Sequence, residues 1–275
     1  MMKYYLETNA LYSIEKIHNK YIDSIYTSIF SLFELVSGIR NDNFTKRKNV
    51  LNKIFNSSIA IEWDMPEKII FDSFDVTKNF EYIENRVEPL KNTIKKIQCS
   101  DSFEIFSKLI EYNFNYFKVL DKLWSNGFID TTIKGNQRIK ENIISKNNSF
   151  TINNIEYNIR KNQDLSSFYK NEELLNQSIT IFALANMIKE NGLNESNQVI
   201  FESYNGLIDN FIEGFSLFCA NKMILYDSPG TNDFADLTHL LYLKNSEDYK
   251  IVSNDNIFEK FFKHKSIKIE ELINN

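Results

Sequence analysis

The chain has 275 residues, 43% hydrophobic and 25% charged, with 32 Lys and Arg against 37 Asp and Glu for a formal net charge of −5. This is enough apolar material for a packed core, and it is not the composition of a disordered chain. Two cysteines (Cys99 and Cys219) and three histidines exclude a disulfide framework and a four-cysteine zinc site, and none of the seven glycines falls in a G-x-G-x-x-G or Walker run. Chemistry on this chain must therefore rest on carboxylates, hydroxyls and amides. No apolar run approaches the roughly 18 residues needed to span a bilayer. Glu7 interrupts the N-terminus before the apolar stretch of a signal peptide can form. A cytoplasmic location with reduced thiols and no membrane partner is expected. The acidic balance gives no electrostatic reason for general nucleic-acid affinity, though it leaves room for a local basic groove.

In chain order, Lys3 to Leu6 is a short apolar segment ending at a carboxylate, which predicts a buried strand. Thr8 or Asn9 suits a helix N-cap, with helical spacing from Ala10 to Ile17. Ser24 to Thr27 predicts a second strand. Ser28 then caps a helix running to about Val36, with Gly38 at its stop. A helix over about Asn43 to Phe55 carries apolar Val50, Leu51, Ile54 and Phe55 on one face. Ser58 to Trp63 alternates like a strand, and Pro66 opens another helix.

From about 77 to 200 the pattern is mostly helical, with i, i+3, i+4 spacing in Leu90 to Ile97, Ser102 to Leu123 and Glu172 to Lys189. Ser149 to Arg160 reads as either a hairpin or a disordered loop. The last stretch returns to the first pattern. Glu202 to Cys219 predicts a helix, 229–233 a capping loop, and Phe234 to Leu243 a helix. Tyr249 to Ser253 predicts a strand, Ile257 to Phe262 a helix and Ser266 to Ile269 a final strand. Strands alternating with helices at both ends predict one α/β domain with a parallel sheet. Its two parts are residues 1–76 and 200–275, and a helical insertion over 77–199 interrupts it.

The acids stand out against these elements. Glu7 ends the first strand and Asp255 follows the strand at 249–253. Ligands of open parallel sheets bind at the carboxyl ends of strands. Glu34 lies within a largely apolar helix, where an unpaired buried carboxylate is costly. Asp233 and Asp236 open the helix before the later strand. Acids without a matching cluster of bases suit a hard cation, Mg or Mn, and a phosphodiester substrate. Each acid also has a structural reading: Glu7 as a helix cap, Glu34 as the partner of a Lys or Arg, Asp255 as a turn residue, and Asp233 and Asp236 as ordinary N-terminal helix acids.

Three stretches carry a resemblance. They are Tyr4-Tyr5-Leu6-Glu7-Thr8-Asn9-Ala10-Leu11, Ser28 through Ile39 with hydroxyls six and three residues before Glu34 and a glycine four after it, and Asn232 through Phe258 with Ile251-Val252-Ser253-Asn254-Asp255. Together they resemble the PIN-domain ribonucleases, best known as toxins of bacterial toxin–antitoxin modules. The resemblance implies a three-layer α/β/α core around a short parallel sheet. It also implies RNA hydrolysis with Mg or Mn held by Glu7, Glu34, Asp236 and Asp255. Asp233 is the alternative to Asp236, which is preferred because Leu240 and Leu243 follow it at i+4 and i+7. Thr8, Asn9 and Ser253 would orient the acids or the substrate, or else cap helices. An antitoxin or another defence-system protein would be the partner.

The sequence departs from the family pattern in two places. Glu7 stands where the family has Asp, and 202 residues separate Glu34 from Asp236. These departures motivate an alternative: a catalytically degenerate PIN-like module serving as a protein- or RNA-binding scaffold. His239 lies three residues after Asp236, where it can donate to that acid, but a lone helical histidine is more often structural. His18 and His264 read as surface residues. Lys134, Arg138, Lys140, Lys146, Arg160 and Lys161 share their stretch with only two acids, Glu141 and Glu156, and with Phe150 and Tyr157. Basic residues interleaved with aromatics suit single-stranded RNA, and a solvated loop is the plainer reading.

Overall fold

The computed structural model of the chain describes residues 2–75, 86–109, 149–152, 155–158, 166–190, 195–224, 229–230 and 232–274. The chain divides into two compact units. One comprises Met1–Val119, Asn205–Asn210 and His239–Asn275; the other comprises Leu120–Tyr204 and Phe211–Thr238. The sheet unit thus includes the helices up to residue 109, beyond the expected boundary at 76, and the expected C-terminal part of the core is divided at Thr238.

The first unit is built on five strands: β1 Lys3–Leu6, β2 Ile25–Ser28, β3 Ala60–Glu62, β6 Tyr249–Val252 and β7 Ser266–Ile267. They form one parallel sheet in the order β3-β2-β1-β6-β7. β1 is central, with Tyr5 level with Tyr26 of β2 and Ile251 of β6, and Leu6 level with Val252. Tyr5, Leu6, Ile251 and Val252 are fully buried. A run of consecutive apolar residues is what a strand covered on both faces requires.

The helices of this unit are α1 Thr8–Leu11, α2 Ile29–Ser37, α3 Phe44–Asn56, α4 Pro66–Asp72, α5 Val87–Cys99, α6 Phe103–Leu109, α11 Asn256–Phe261 and α12 Ile269–Asn274. Short 3-10 turns lie at Ile14–Lys16, Asn19–Ser24, His239–Tyr242 and Lys263–Lys265. The Ser28 hydroxyl accepts from the Ser31 amide and so caps α2. Ile29, Leu32 and Leu35 put a fully buried stripe along that helix, the expected i, i+3 pattern.

The helix expected over Ala10 to Ile17 is shorter, being α1 followed by a 3-10 turn: Ser13, at φ −105° and ψ 9°, leaves helical geometry between the two, and the extended Ile17 ends the turn. Gly38 follows α2 as expected, but its φ of −89° needs no glycine. Space explains it: a Cβ there would lie 2.6 Å from the Arg47 guanidinium, whose Nη1 donates to the Glu34 and Leu35 carbonyls.

The second unit contains the antiparallel hairpin of β4 Ser149–Ile152 and β5 Ile155–Asn158, which selects the hairpin over the disordered loop. It also holds α7 Ser166–Glu190, α8 Asn197–Glu202, all but the first two residues of α9 Asp209–Ile224, and α10 Asp233–Thr238. The single helix expected over Glu202 to Cys219 is interrupted between α8 and α9. Gly206, at φ +83°, takes a left-handed turn there, and the Asn205 amide donates to the Ser73 carbonyl. The helix expected over Phe234 to Leu243 ends as α10 and tightens into the buried turn His239–Tyr242. No helix among the described residues is long and apolar enough to cross a membrane.

Candidate functional site

The strand order reverses between β1 and β6. From β1 the chain steps outward to β2 and β3; it then returns to β6 on the other side of β1 and steps outward to β7. In open parallel sheets the crevice outside the carboxyl ends at such a reversal is where ligands bind. Glu7 is the residue immediately after β1. Ser253, Asn254 and Asp255 immediately follow β6. The reversal thus brings the first and last predicted acids to adjacent strand ends.

Three consecutive residues tie the acids together. Glu7 is 2% exposed and caps α1, its Oε2 accepting from the Asn9 amide at 2.7 Å and its Oε1 from the Ala10 amide at 3.2 Å. Thr8 Oγ1 donates to Glu34 Oε2. Asn9 Nδ2 donates to Asp255 Oδ2 at 2.8 Å. One asparagine therefore bridges Glu7 and Asp255, and its neighbour holds Glu34. Asp255 occupies the N-cap position of α11 without making a side-chain cap bond; its carboxylate turns to Asn9 instead. The Ser253 hydroxyl accepts from the Asp255 amide at 3.0 Å and so shapes that turn.

Behind Glu34 lies a buried polar chain. His239, 2% exposed, places Nε2 3.0 Å from Glu34 Oε2 and Nδ1 2.7 Å from the Tyr5 hydroxyl. The Tyr5 hydroxyl also lies 2.8 Å from Ser28 Oγ and 3.2 Å from Ser31 Oγ. Burial opposes a charged His239, but Tyr5 and the Glu34 carboxylate outweigh it and hold the ring well above its usual range. With both ring nitrogens protonated, each donates, and the Tyr5 O–H is free to donate to Ser28. Burial likewise opposes an ionised Glu34, but His239, Thr8 and Arg47 prevail and keep its carboxyl below the usual range. Glu7 behaves oppositely. Burial pushes it up to about 7, and Asp255 and Glu34 add to the rise, against lowering by His239 and the Asn9 amide. Glu7 is thus a buried carboxyl whose ionised form lacks a sufficient counter-charge.

Of the predicted residues, Glu7, Thr8, Asn9, Glu34, Ser253 and Asp255 meet at this edge. Glu34 pairs with a histidine and a threonine hydroxyl, and Arg47 reaches only its backbone carbonyl. His239 turns to Tyr5 and Glu34, where the sequence pointed it to Asp236. Asp233 and Asp236 belong to the second unit. Asp233 accepts from the Gly230 amide at 2.7 Å and lies 3.8 Å from Lys222 Nζ, as a loop-closing residue does. Lys134, Arg138, Lys140, Lys146, Arg160 and Lys161 lie outside the described residues. A cavity of about 410 Å³ opens over Ile14, Ile17 and Ile59, and none of the acids named here lines it.

Sequence alone assigns no role to Tyr5 and little to His239. The signal for Tyr5 was a hydroxyl-bearing aromatic in an otherwise apolar central strand, since a buried phenol needs a partner. Among the described residues, no group of three or more His, Cys, Asp or Glu side chains is placed to hold a metal ion as it stands. The donor set nonetheless suits Mg or Mn, which take oxygen ligands from one or two carboxylates and complete their shells with water and substrate phosphate. Glu34 Oε2 and Asp255 Oδ2 are each held by hydrogen bonds, whereas among the described residues neither Glu34 Oε1 nor Asp255 Oδ1 has a hydrogen-bond partner. Comparison with protein-family models, with curated proteins and with solved structures finds no match to the chain.

Proposed function

We propose that this protein is a divalent-cation-dependent endoribonuclease of PIN type, acting in the cytoplasm as a toxin or defence component. The observation that carries the reading is the meeting of Glu7, Glu34 and Asp255 at the carboxyl ends of β1 and β6, where the strand order reverses. Right-handed crossovers on the two sides of that reversal would set α2 and α3 on one face and α11 on the other, the three-layer arrangement of such a core. The free oxygens of Glu34 and Asp255, with Glu7 beside them, would hold Mg or Mn. Bound there, the cation would supply an activated water at neutral pH and offset the charge on a phosphodiester oxygen. The protein's own part is to fix the acids: Thr8 and His239 hold Glu34, Asn9 holds Asp255, and the Asn9 and Ala10 amides hold Glu7.

Cleavage of mixed-sequence single-stranded RNA with Mn²⁺, with Mg²⁺ and with EDTA tests this, together with thermal melting in the same buffers. We expect cleavage and a raised melting temperature with the cations only. Asp255→Asn should lower cleavage by about 10²-fold or more, on the scale of losing one charge-stabilising group. Melting that ignores both cations, together with no cleavage, would refute the reading.

A second reading is a degenerate scaffold that binds RNA or a protein partner. It draws on Glu7 being spent as a helix cap and on Glu34 already having a histidine partner. It predicts an inactive natural protein that Glu7→Asp makes active. Loss of wild-type cleavage in Glu7→Gln would rule it out.

A further inference from the structure

We propose that His239 is a positioning residue that aims Glu34 at the cation, an inference that rests on the nuclease reading above. His239 is the second residue clamping the same oxygen. Thr8 Oγ1 and His239 Nε2 both meet Glu34 Oε2, so the carboxylate can swing about neither contact. Oε1 is left with no hydrogen-bond partner among the described residues, and it is not among the buried atoms lacking one. One oxygen is pinned and the other is offered.

The histidine is itself held from behind. Its Nδ1 lies 2.7 Å from the Tyr5 hydroxyl, which Ser28 and Ser31 anchor at the start of α2. The Phe30 ring stands edge-on at 4.9 Å between centroids and the Tyr5 ring is tilted at 5.8 Å, which limits rotation of the imidazole. The strut therefore begins at the N-cap of α2, crosses the central strand and returns to Glu34 in the same helix. A merely space-filling residue has no use for a donor at Nε2 or a fixed partner at Nδ1. An outer group that orients a ligating carboxylate uses both, and losing such a group costs about 10- to 100-fold in metal affinity.

The test is calorimetric titration of Mn²⁺ into the wild type, His239→Leu, His239→Gln and Tyr5→Phe, with melting curves for each. Glutamine keeps a donor near the place of Nε2; leucine fills space without one. We expect His239→Leu to weaken Mn²⁺ binding about 10- to 100-fold and His239→Gln to recover most of it. Tyr5→Phe removes one oxygen at constant bulk, so it keeps the test sound if His239→Leu does not fold. It should weaken binding by a smaller factor. Wild-type affinity in both His239→Leu and Tyr5→Phe, or equal losses in His239→Leu and His239→Gln, would overturn the positioning role while leaving the nuclease reading standing. No Mn²⁺ binding by the wild type would overturn that reading and this role with it.

Discussion

At the residue scale, Glu7 has the largest consequence. Its ordinary pKa is 4.5, and in the folded chain it is pushed up to about 7 by burial. In the unfolded chain it ionises above 4.5, while in the folded chain it keeps its proton until about 7. Between those values the folded state binds more protons, so stability falls as pH rises. The loss is absent below 4.5, complete above 7, and on the order of 3 kcal/mol. Glu7→Gln removes the charge at the cost of one of its two backbone acceptors. Without divalent cations it should be more stable than the wild type above pH 7 and slightly less stable near pH 4. Urea unfolding at the two pH values checks this, and parallel pH profiles for the two proteins would contradict it.

Much of this site was legible from residue type and order. Glu7, Glu34 and Asp255 could be named because a carboxylate at a strand end or in an apolar helix is conspicuous. Their partners could not. Thr8 and Asn9 look like caps because the bonds they make reach across 26 and 246 residues of sequence. His239 sits one turn from Asp236 in sequence, so local spacing pointed to the wrong acid. Only strand pairing, which local periodicity does not encode, brings Tyr5 and Glu34 to it.

At the element scale, α2 carries the most consequence. It supplies Glu34 from a helix otherwise buried against the sheet, and its two ends are fixed differently. Ser28 holds the N-terminus. At the other end Arg47 reaches from α3 to the Glu34 and Leu35 carbonyls through space that Gly38 leaves open. The Glu34 carbonyl also accepts from the Gly38 amide, whereas the Leu35 carbonyl is one of those a helix end leaves without an intrahelical partner, and a cation there also suits the helix dipole. Gly38→Ala should displace the guanidinium and destabilise the protein by about 1–2 kcal/mol. In an Arg47→Ala background the same change should cost much less, since the obstructing group is gone. A double-mutant cycle by urea unfolding reads the difference, and simple additivity would show that the glycine serves another purpose. The sequence marked Gly38 as a stop, and the position was right, but the reason lay in an arginine nine residues later. Element edges elsewhere shifted where one backbone turn decides, as with Gly206 between α8 and α9.

At the scale of the whole molecule, strands from the two ends of the chain lie side by side, and that juxtaposition makes the site. β1 pairs with β6, so residues near position 7 meet residues near position 255. Alternating short strands and helices at both ends made a parallel sheet legible. The order β3-β2-β1-β6-β7 was not, because nothing local in β6 names its neighbour. The net charge of −5 also takes on a different meaning. Part of it is gathered at one sheet edge, where, on the proposed nuclease reading, it would oppose RNA until a cation offset it. Anomalous diffraction from a Mn²⁺-soaked crystal tests that claim most directly. A Mn²⁺ peak is expected at ligand distance, about 2.0–2.3 Å, from a carboxylate oxygen of Asp255, Glu34 or Glu7. No peak at these acids, under conditions where the protein cleaves RNA, would contradict it.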